Sequence, residues 1–256
     1  MKYCRFLQNG QIKYGMIDVN YVVELTESYI KKTMAPTNRL HRLEDVTLLS
    51  PVEPLQIVEI GLNYVDHARE LDLPLPKELM MFMVSPSAVT GPNEAIVLAH
   101  PEHRIDFEAE LVIVIGKKAH RVSEEAALDY VFGYTIGLDI SDRDFQNGDG
   151  QYTRAKSYST YKPLGPVVET SINPNKVSIQ LQVNGELKQD GTTRNFVYSI
   201  EKIIETVTEV MTLYPGDIIF TGSPAGVGPI RKGDELETTI EGIGTLHNFV
   251  VDRENE

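Results

Sequence analysis

The run Arg104–Lys118, RIDFEAELVIVIGKK, constrains the fold more than any other stretch of the chain. It alternates as a strand does. Phe107, Ala109, Leu111, Ile113 and Ile115 fall on one face, and Asp106, Glu108, Glu110, Val112 and Val114 on the other. The first face is wholly apolar, and the second turns apolar halfway along. Such a strand ends inside a core and carries its carboxylates with it. Glu108 and Glu110, at i and i+2, stand roughly 7 Å apart at Cα, close enough for both side chains to converge on one ion. Like charges so placed repel unless a cation compensates them. The alternative is an acidic strand end that protrudes into water.

Composition narrows what such an ion and its partners are. The net charge of −13 disfavours nucleic acid or an anionic membrane as partner. A small anionic substrate stays compatible, because a bound cation reverses the field of a cleft. No apolar run approaches the ~20 residues that span a bilayer, and no charged-then-apolar leader precedes Lys2–Phe6. Cys4 is the single cysteine, which rules out an intrachain disulfide or a cysteine-rich zinc cage and suits a reducing cytoplasm. An oxygen-ligated magnesium or manganese ion is the natural candidate.

Residues 1–26 read as two or three short antiparallel strands around Asn9-Gly10 and Asp18–Asn20. Residues 27–50 are expected to hold a short helix and a polar connection, with a boundary at Pro51 and Pro54. The expected domains are therefore a small N-terminal β domain, 1–50, and a catalytic domain, 51–256. In the second, Gln56–Gly61 reads as a buried strand that leads into a helical turn at Leu62–Glu70. Short apolar runs recur at Met80–Val84 and Ala95–Leu98, and further strands are expected at Phe132–Ile140, Leu164–Val168, Val177–Val183, Asp217–Phe220, Glu235–Ile240 and Thr245–Val251. Ser123 opens a helix, and Ser199–Leu213 forms a longer amphipathic one. Residues 145–162 read as a long irregular connection. The fold class is α+β, dominated by β-sheet.

Several residues outside the acidic strand suit chemistry. Asp139 closes an apolar strand, where a turn role is the plainer alternative. His67 and Glu70, at i and i+3, share a helical face; a carboxylate there fixes the imidazole tautomer and raises its basicity, as a general base needs. The alternative is a surface ion pair. Lys156 in the polar segment 154–157 suits an anionic substrate, or is simply solvated. The loop Thr221–Gly228, TGSPAGVG, follows a strand, and its N–H groups and hydroxyls suit a carboxylate or phosphate. No Walker or dinucleotide spacing is present.

The order of these pieces — IVEIGLNYVDHARE, DFEAELVIVIGK, GYTIGLDISDRD, a lysine loop, VNGE, LYPGDIIFTGSPAGVG, IEGIGTL — resembles the fumarylacetoacetate hydrolase family over roughly residues 55–251. The resemblance implies a mixed β-sandwich and β-roll core with a small N-terminal β appendage. It implies Glu108, Glu110 and Asp139 as ligands of Mg2+ or Mn2+, and His67 with Glu70 as base and partner. It implies Lys156 as a catalytic lysine, and Arg143, Gln146, Gly222 and Ser223 as substrate contacts. The chain departs from the family pattern at Val84, at Leu138 and at Ser159. The implied function is hydrolytic C–C cleavage of acylpyruvate or β-diketo acids through a metal-bound enolate. Decarboxylation or isomerisation of 2-oxo diacids on the same site is the alternative, and a non-catalytic 2-oxo-acid-binding protein is the alternative of another class. The family also implies a homodimer.

Overall fold

A computed structural model describes residues 1–253. In it the acidic run bridges two sheets instead of forming one strand. Ile105–Phe107 lies in a three-stranded sheet between Ser141–Asp142 and Gly228–Pro229. Ala109–Ile115 lies in a twelve-stranded sheet between Val131–Leu138 and Ile218–Phe220. Glu108 is the residue at the break. Its carbonyl still accepts from the Asp139 N–H at 2.8 Å, while the Ala109 N–H donates to the Gln189 side chain at 2.9 Å. The alternation of side chains survives the break, but the change of sheet is set by partners far along the chain.

The large sheet runs from Pro36–Arg42 through Tyr21–Leu25, Gln11–Asp18, Lys2–Gln8, Lys162–Glu169 and Val131–Leu138 to the central Ala109–Ile115. It continues through Ile218–Phe220 and Ile57–Ile60 to Met81–Val84. A five-stranded sheet is ordered Glu186–Thr192, Ser178–Val183, Glu235–Ile240, Gly244–Asp252 and Ala95–Leu98. One core contains Leu111, Ile113 and Ile136 of the large sheet together with Ile179, Leu181 and Leu246 of the smaller one. The helix Ile200–Val210 adds Ile200, Ile203, Ile204 and Val207 to it. Val112 and Val114 point the other way, into a second cluster with Tyr3, Tyr29, Val168 and Phe220. Ala109–Ile115 is therefore buried on both faces, as its apolar second half requires. The fold is α+β and β-dominated.

Some local expectations are corrected. The segment 27–50 holds the strands Pro36–Arg42 and Thr47–Leu49 around a single 3-10 turn, where a short helix was expected. The edge pairing of Tyr21–Leu25 with Pro36–Arg42 outweighs local preference there. Residues Glu124–Tyr130 form a 3-10 helix, and Ser123 makes no side-chain cap. The expected irregular connection 145–162 carries two short helices, Arg143–Asp149 and Thr153–Lys156. The first is capped by Asp142, whose carboxylate accepts from the Phe145 N–H at 3.2 Å. Strand Glu186–Thr192 was not expected; Asn184 and Gly185, both at positive φ, make the tight turn that pairs it with Ser178–Val183.

The N-terminal strands are not a separate sheet. Lys2 pairs with Glu169 and Tyr3 with Val168, so the first five strands extend the large sheet directly.

Candidate metal centre and active site

The break at Glu108 sets the geometry of the site. Glu108, Glu110 and Asp139 are all buried, and each offers a carboxylate oxygen within 4.8 Å of the others. An acidic strand end in water is therefore excluded. Gly222, at φ +91°, turns its N–H onto Glu110 Oε2 at 2.7 Å. A Cβ at this position would lie 2.9 Å from Asn63 Cβ, so glycine is required by both conformation and space. Asn63 in turn fixes the loop: its side chain donates to the Thr221 carbonyl at 2.8 Å and accepts from the Tyr198 N–H at 2.8 Å.

Cations from the helical segment 143–156 meet these carboxylates. Lys156 Nζ donates to Glu108 Oε2 at 3.0 Å, to Ser141 Oγ at 2.7 Å, and to Asp139 Oδ2. Arg143 donates to Glu108 Oε1 at 2.7 Å, to Asp106 Oδ2 at 2.9 Å and to Gln146 Oε1 at 2.7 Å. Arg104 reaches the other oxygen of Asp106 at 2.9 Å. Burial pushes the Glu108 carboxyl up, but Lys156 and Arg143 outweigh it and hold the group well below the usual range. Burial likewise opposes the charge of Lys156, and Asp139, Glu108 and Glu59 outweigh it, so the ammonium is held above its ordinary range.

Glu110 is the exception. Burial, then the charges of Asp139, Glu108 and Glu59, push its carboxyl well above the ordinary range. Gly222 supplies one N–H, and no ammonium or guanidinium bonds to it among the described residues. A buried carboxylate short of positive charge, with two further carboxylate oxygens beside it, is a hard donor set that fits a divalent cation.

The proposed base lies on the same cavity. His67 Nδ1 is 2.9 Å from Glu70 Oε2, and Glu70 Oε1 accepts from the Gly226 N–H at 3.0 Å. Glu70 thus orients the ring, and with Nδ1 donating to it, Nε2 carries the lone pair. A cavity of about 600 Å³ joins His67, Glu70, the three carboxylates, Arg104, Arg143, Gln146, Lys156, Gly222 and Ser223, with Leu71, Leu73 and Met80 as apolar wall. The structure therefore brings together every residue singled out from the sequence. Ser223 lines the cavity, but its hydroxyl is engaged by the scaffold: it donates to the Ala109 carbonyl at 3.1 Å and accepts from Gln189 Nε2 at 2.8 Å.

The family model for the fumarylacetoacetate (FAA) hydrolase C-terminal domain matches residues 56–251. The chain belongs to the fumarylacetoacetate hydrolase family. A second model, Rv2993c-like, N-terminal, matches residues 1–51. The mitochondrial oxaloacetate tautomerase FAHD2B of Bos taurus is 39% identical over 241 residues, covering 89% of this chain and 77% of its own. The crystal structure of 2-hydroxyhepta-2,4-diene-1,7-dioate isomerase from Mycobacterium marinum is 38% identical, with a TM-score of 0.91 and all of both chains covered. The maleylpyruvate hydrolase of Sphingobium sp. SYK-6, solved with manganese(II) and pyruvate, is 29% identical, with a TM-score of 0.84 over 99% of this chain and 100% of its own. The protein is an enzyme of this family, and no helix among the described residues is long and apolar enough to cross a membrane.

Two residues of this family member escaped the sequence reading. Lys162 is fully buried and lies 2.5 Å from Asp139 Oδ1, and Glu59, also buried, lies 3.3 Å from Lys162 Nζ. The available signal was a lone carboxylate inside the apolar run QIVEIG and a lysine opening the apolar run KPLGPVV. Burial, then the charge of Asp139, pushes the Glu59 carboxyl up to about 8. A cation on Asp139 screens the second of these causes.

Proposed function

We propose that the protein moves a proton on the carbon beside the 2-oxo group of a small 2-oxo diacid, as a tautomerase or isomerase does. The observation that carries this reading is the His67–Glu70 pair facing the same cavity as the Glu108–Glu110–Asp139 cluster. Those three carboxylates would hold Mg2+ or Mn2+, which when bound supplies a Lewis acid for negative charge developing on the 2-oxo oxygen.

The chain's own residues do the rest. His67 Nε2 takes the proton from carbon, and Glu70 stabilises the imidazolium that results. Arg104, Arg143 and Lys156 give the otherwise acidic cavity a positive wall for the substrate's carboxylates. Gln146 fixes the Arg143 guanidinium at 2.7 Å, so its planar donors are oriented before substrate arrives. Leu71, Leu73 and Met80 add apolar surface to the cavity.

Proton transfer ranks before hydrolysis because the tautomerase and isomerase relatives are 39% and 38% identical and the maleylpyruvate hydrolase 29%. Hydrolytic C–C cleavage of an acylpyruvate is the second reading. The cavity of about 600 Å³ favours it, because it holds a substrate together with a water, whose share of volume is about 30 Å³. His67 then deprotonates that water instead of carbon. Decarboxylation uses the same anion-stabilising wall and no base.

The test is proton NMR in D2O with Mg2+, using oxaloacetate and an acylpyruvate, against a His67→Ala control for uncatalysed exchange. Deuterium entering the carbon beside the 2-oxo group with no new product supports proton transfer. Pyruvate plus a second carboxylic acid in the proton spectrum supports hydrolysis. Neither outcome above the control sinks both readings.

A further inference from the structure

Asp139 is gripped from two sides. Lys156, on the cavity side, donates to Oδ2; Lys162, which does not line the cavity, donates to Oδ1 at 2.5 Å. Lys162 opens the strand Lys162–Glu169 and has no exposed surface. Its remaining contacts are the carbonyls of Tyr161 at 3.2 Å and Ile140 at 3.5 Å, and the Glu59 carboxylate at 3.3 Å. Glu59 comes from the strand Ile57–Ile60, all four residues of which are buried. Neither Glu59 oxygen has an aligned hydrogen bond among the described residues.

Packing alone does not account for this arrangement. Apolar residues of similar volume in place of a buried ion pair are commonly as stable or more so, whereas removing one partner is costly. The pair touches a carboxylate of the candidate metal centre through a lysine that does not line the cavity. Its effect there is directional: an ammonium on Oδ1 fixes the rotation of the Asp139 carboxylate. Unopposed, the same ammonium would also repel a cation bound on the other side.

We infer that Lys162 is a positioning residue that fixes Asp139 for monodentate ligation of a divalent cation, and that Glu59 cancels the Lys162 charge so that the anchor does not weaken the ion. The inference rests on the divalent-cation reading of the Glu108–Glu110–Asp139 cluster and holds for any of the reactions considered. Partners behind a metal ligand orient it, and their loss commonly lowers affinity about 10–100-fold.

The experiment titrates Mn2+ alone, without substrate, above pH 8 so that the Glu59 carboxyl is ionised, into the wild type, Glu59→Gln and the double variant Glu59→Gln/Lys162→Met. Affinity is read by calorimetry and coordination by the electron paramagnetic resonance spectrum of the bound ion. Glu59→Gln is expected to bind about 10-fold more weakly or worse with an unchanged spectrum, since Asp139 stays anchored while the lysine charge is unopposed. The double variant is expected to regain part of that affinity but to show an altered spectrum, because Asp139 is released. Glu59→Gln with wild-type affinity overturns the compensating role. A double variant with wild-type affinity and spectrum overturns the positioning role. Should Glu59→Gln fail to fold, the double variant, which buries neither charge of the pair, decides on its spectrum. A wild type that takes up no Mn2+ overturns the cation reading and this inference with it; a wild type that binds while both variants match it overturns the inference alone.

Discussion

At the scale of single residues, the site sorts its carboxylates by what each lacks. Glu108 has Lys156 and Arg143; Asp139 has Lys156 and Lys162; Glu110, among the described residues, has only the Gly222 N–H. Glu110 therefore gains most from a cation, and Glu110→Gln removes that charge while keeping shape. The expected outcome is loss of Mg2+ and Mn2+ binding by calorimetry. The melting temperature without metal should be unchanged or higher, since burial and the neighbouring carboxylates already drive the Glu110 carboxyl toward its neutral form. Retained affinity would remove Glu110 from the ligand set. His67 answers to a different measurement. His67→Ala should lower kcat by about 10²–10⁴-fold, the scale of a lost general base, with Mn2+ affinity nearly intact. Normal turnover in that variant would reduce the His67–Glu70 contact to a helix-face ion pair.

At the scale of elements, what the sequence disclosed depended on how local the deciding contacts are. The run from Ala109 to Ile115 was legible because it alternates between an apolar face and one that turns apolar after Glu110, and Ser199–Leu213 because its apolar spacing is helical; Ser199 indeed caps Ile200–Val210, accepting from the Lys202 N–H at 3.2 Å. For the metal cluster the i, i+2 spacing of Glu108 and Glu110 offered a shared ion as one of two readings, and it was the resemblance to the family that added Asp139. The break at Glu108 was not, since it depends on Asp139 and Gln189, 31 and 81 residues away by their numbers. Strand Pro36–Arg42 was missed for the same reason: TNRLHR has no clear alternation, and the edge of the sheet organises it. Buried Glu24 sits in the neighbouring strand, where Lys13 at 2.9 Å, His41 at 2.7 Å and Arg39 at 3.2 Å surround it. Burial pushes its carboxyl up, but Lys13 and His41 outweigh burial and hold it below its ordinary 4.5. A depressed carboxyl contributes stability that is present above the unfolded value and lost as pH falls through the folded one. Glu24→Gln should therefore lower the melting temperature at neutral pH, by about 1 kcal/mol of stability. The difference from wild type should shrink below pH 4.5. A pH-independent difference would show that Glu24 acts through packing instead.

For the whole molecule, the candidate centre joins parts of different sheets and helices. Glu110 belongs to the large sheet, Glu108 to the break, and Gly222 to the loop after Ile218–Phe220, while Arg143 and Lys156 come from helices on the cavity side. A cation held by Glu108, Glu110 and Asp139 would tie these parts together only in the native state, because unfolding disperses the ligands along 32 residues of chain, by their numbers. Ligand bound to the native state alone stabilises it by about 2.7 kcal/mol at 100 times Kd. For a chain of this size that is a rise in melting temperature of roughly 5–10 °C. Oxalate extends the test to the reaction. It is planar with two anionic oxygens at chelating distance, and so resembles the anion formed when a 2-oxo acid loses a proton beside its carbonyl. Without metal, Asp106, Glu108, Glu110 and Asp139 oppose a dianion in the cavity, and oxalate should leave the melting curve where it was. With Mg2+ present it should raise the midpoint beyond the metal alone. Malonate, whose extra methylene enlarges the chelate ring, should raise it less. Equal shifts by oxalate with and without the ion would mean that Arg104, Arg143 and Lys156 alone capture the anion, and the proton-transfer chemistry proposed for this site would lose its support even with the cation bound.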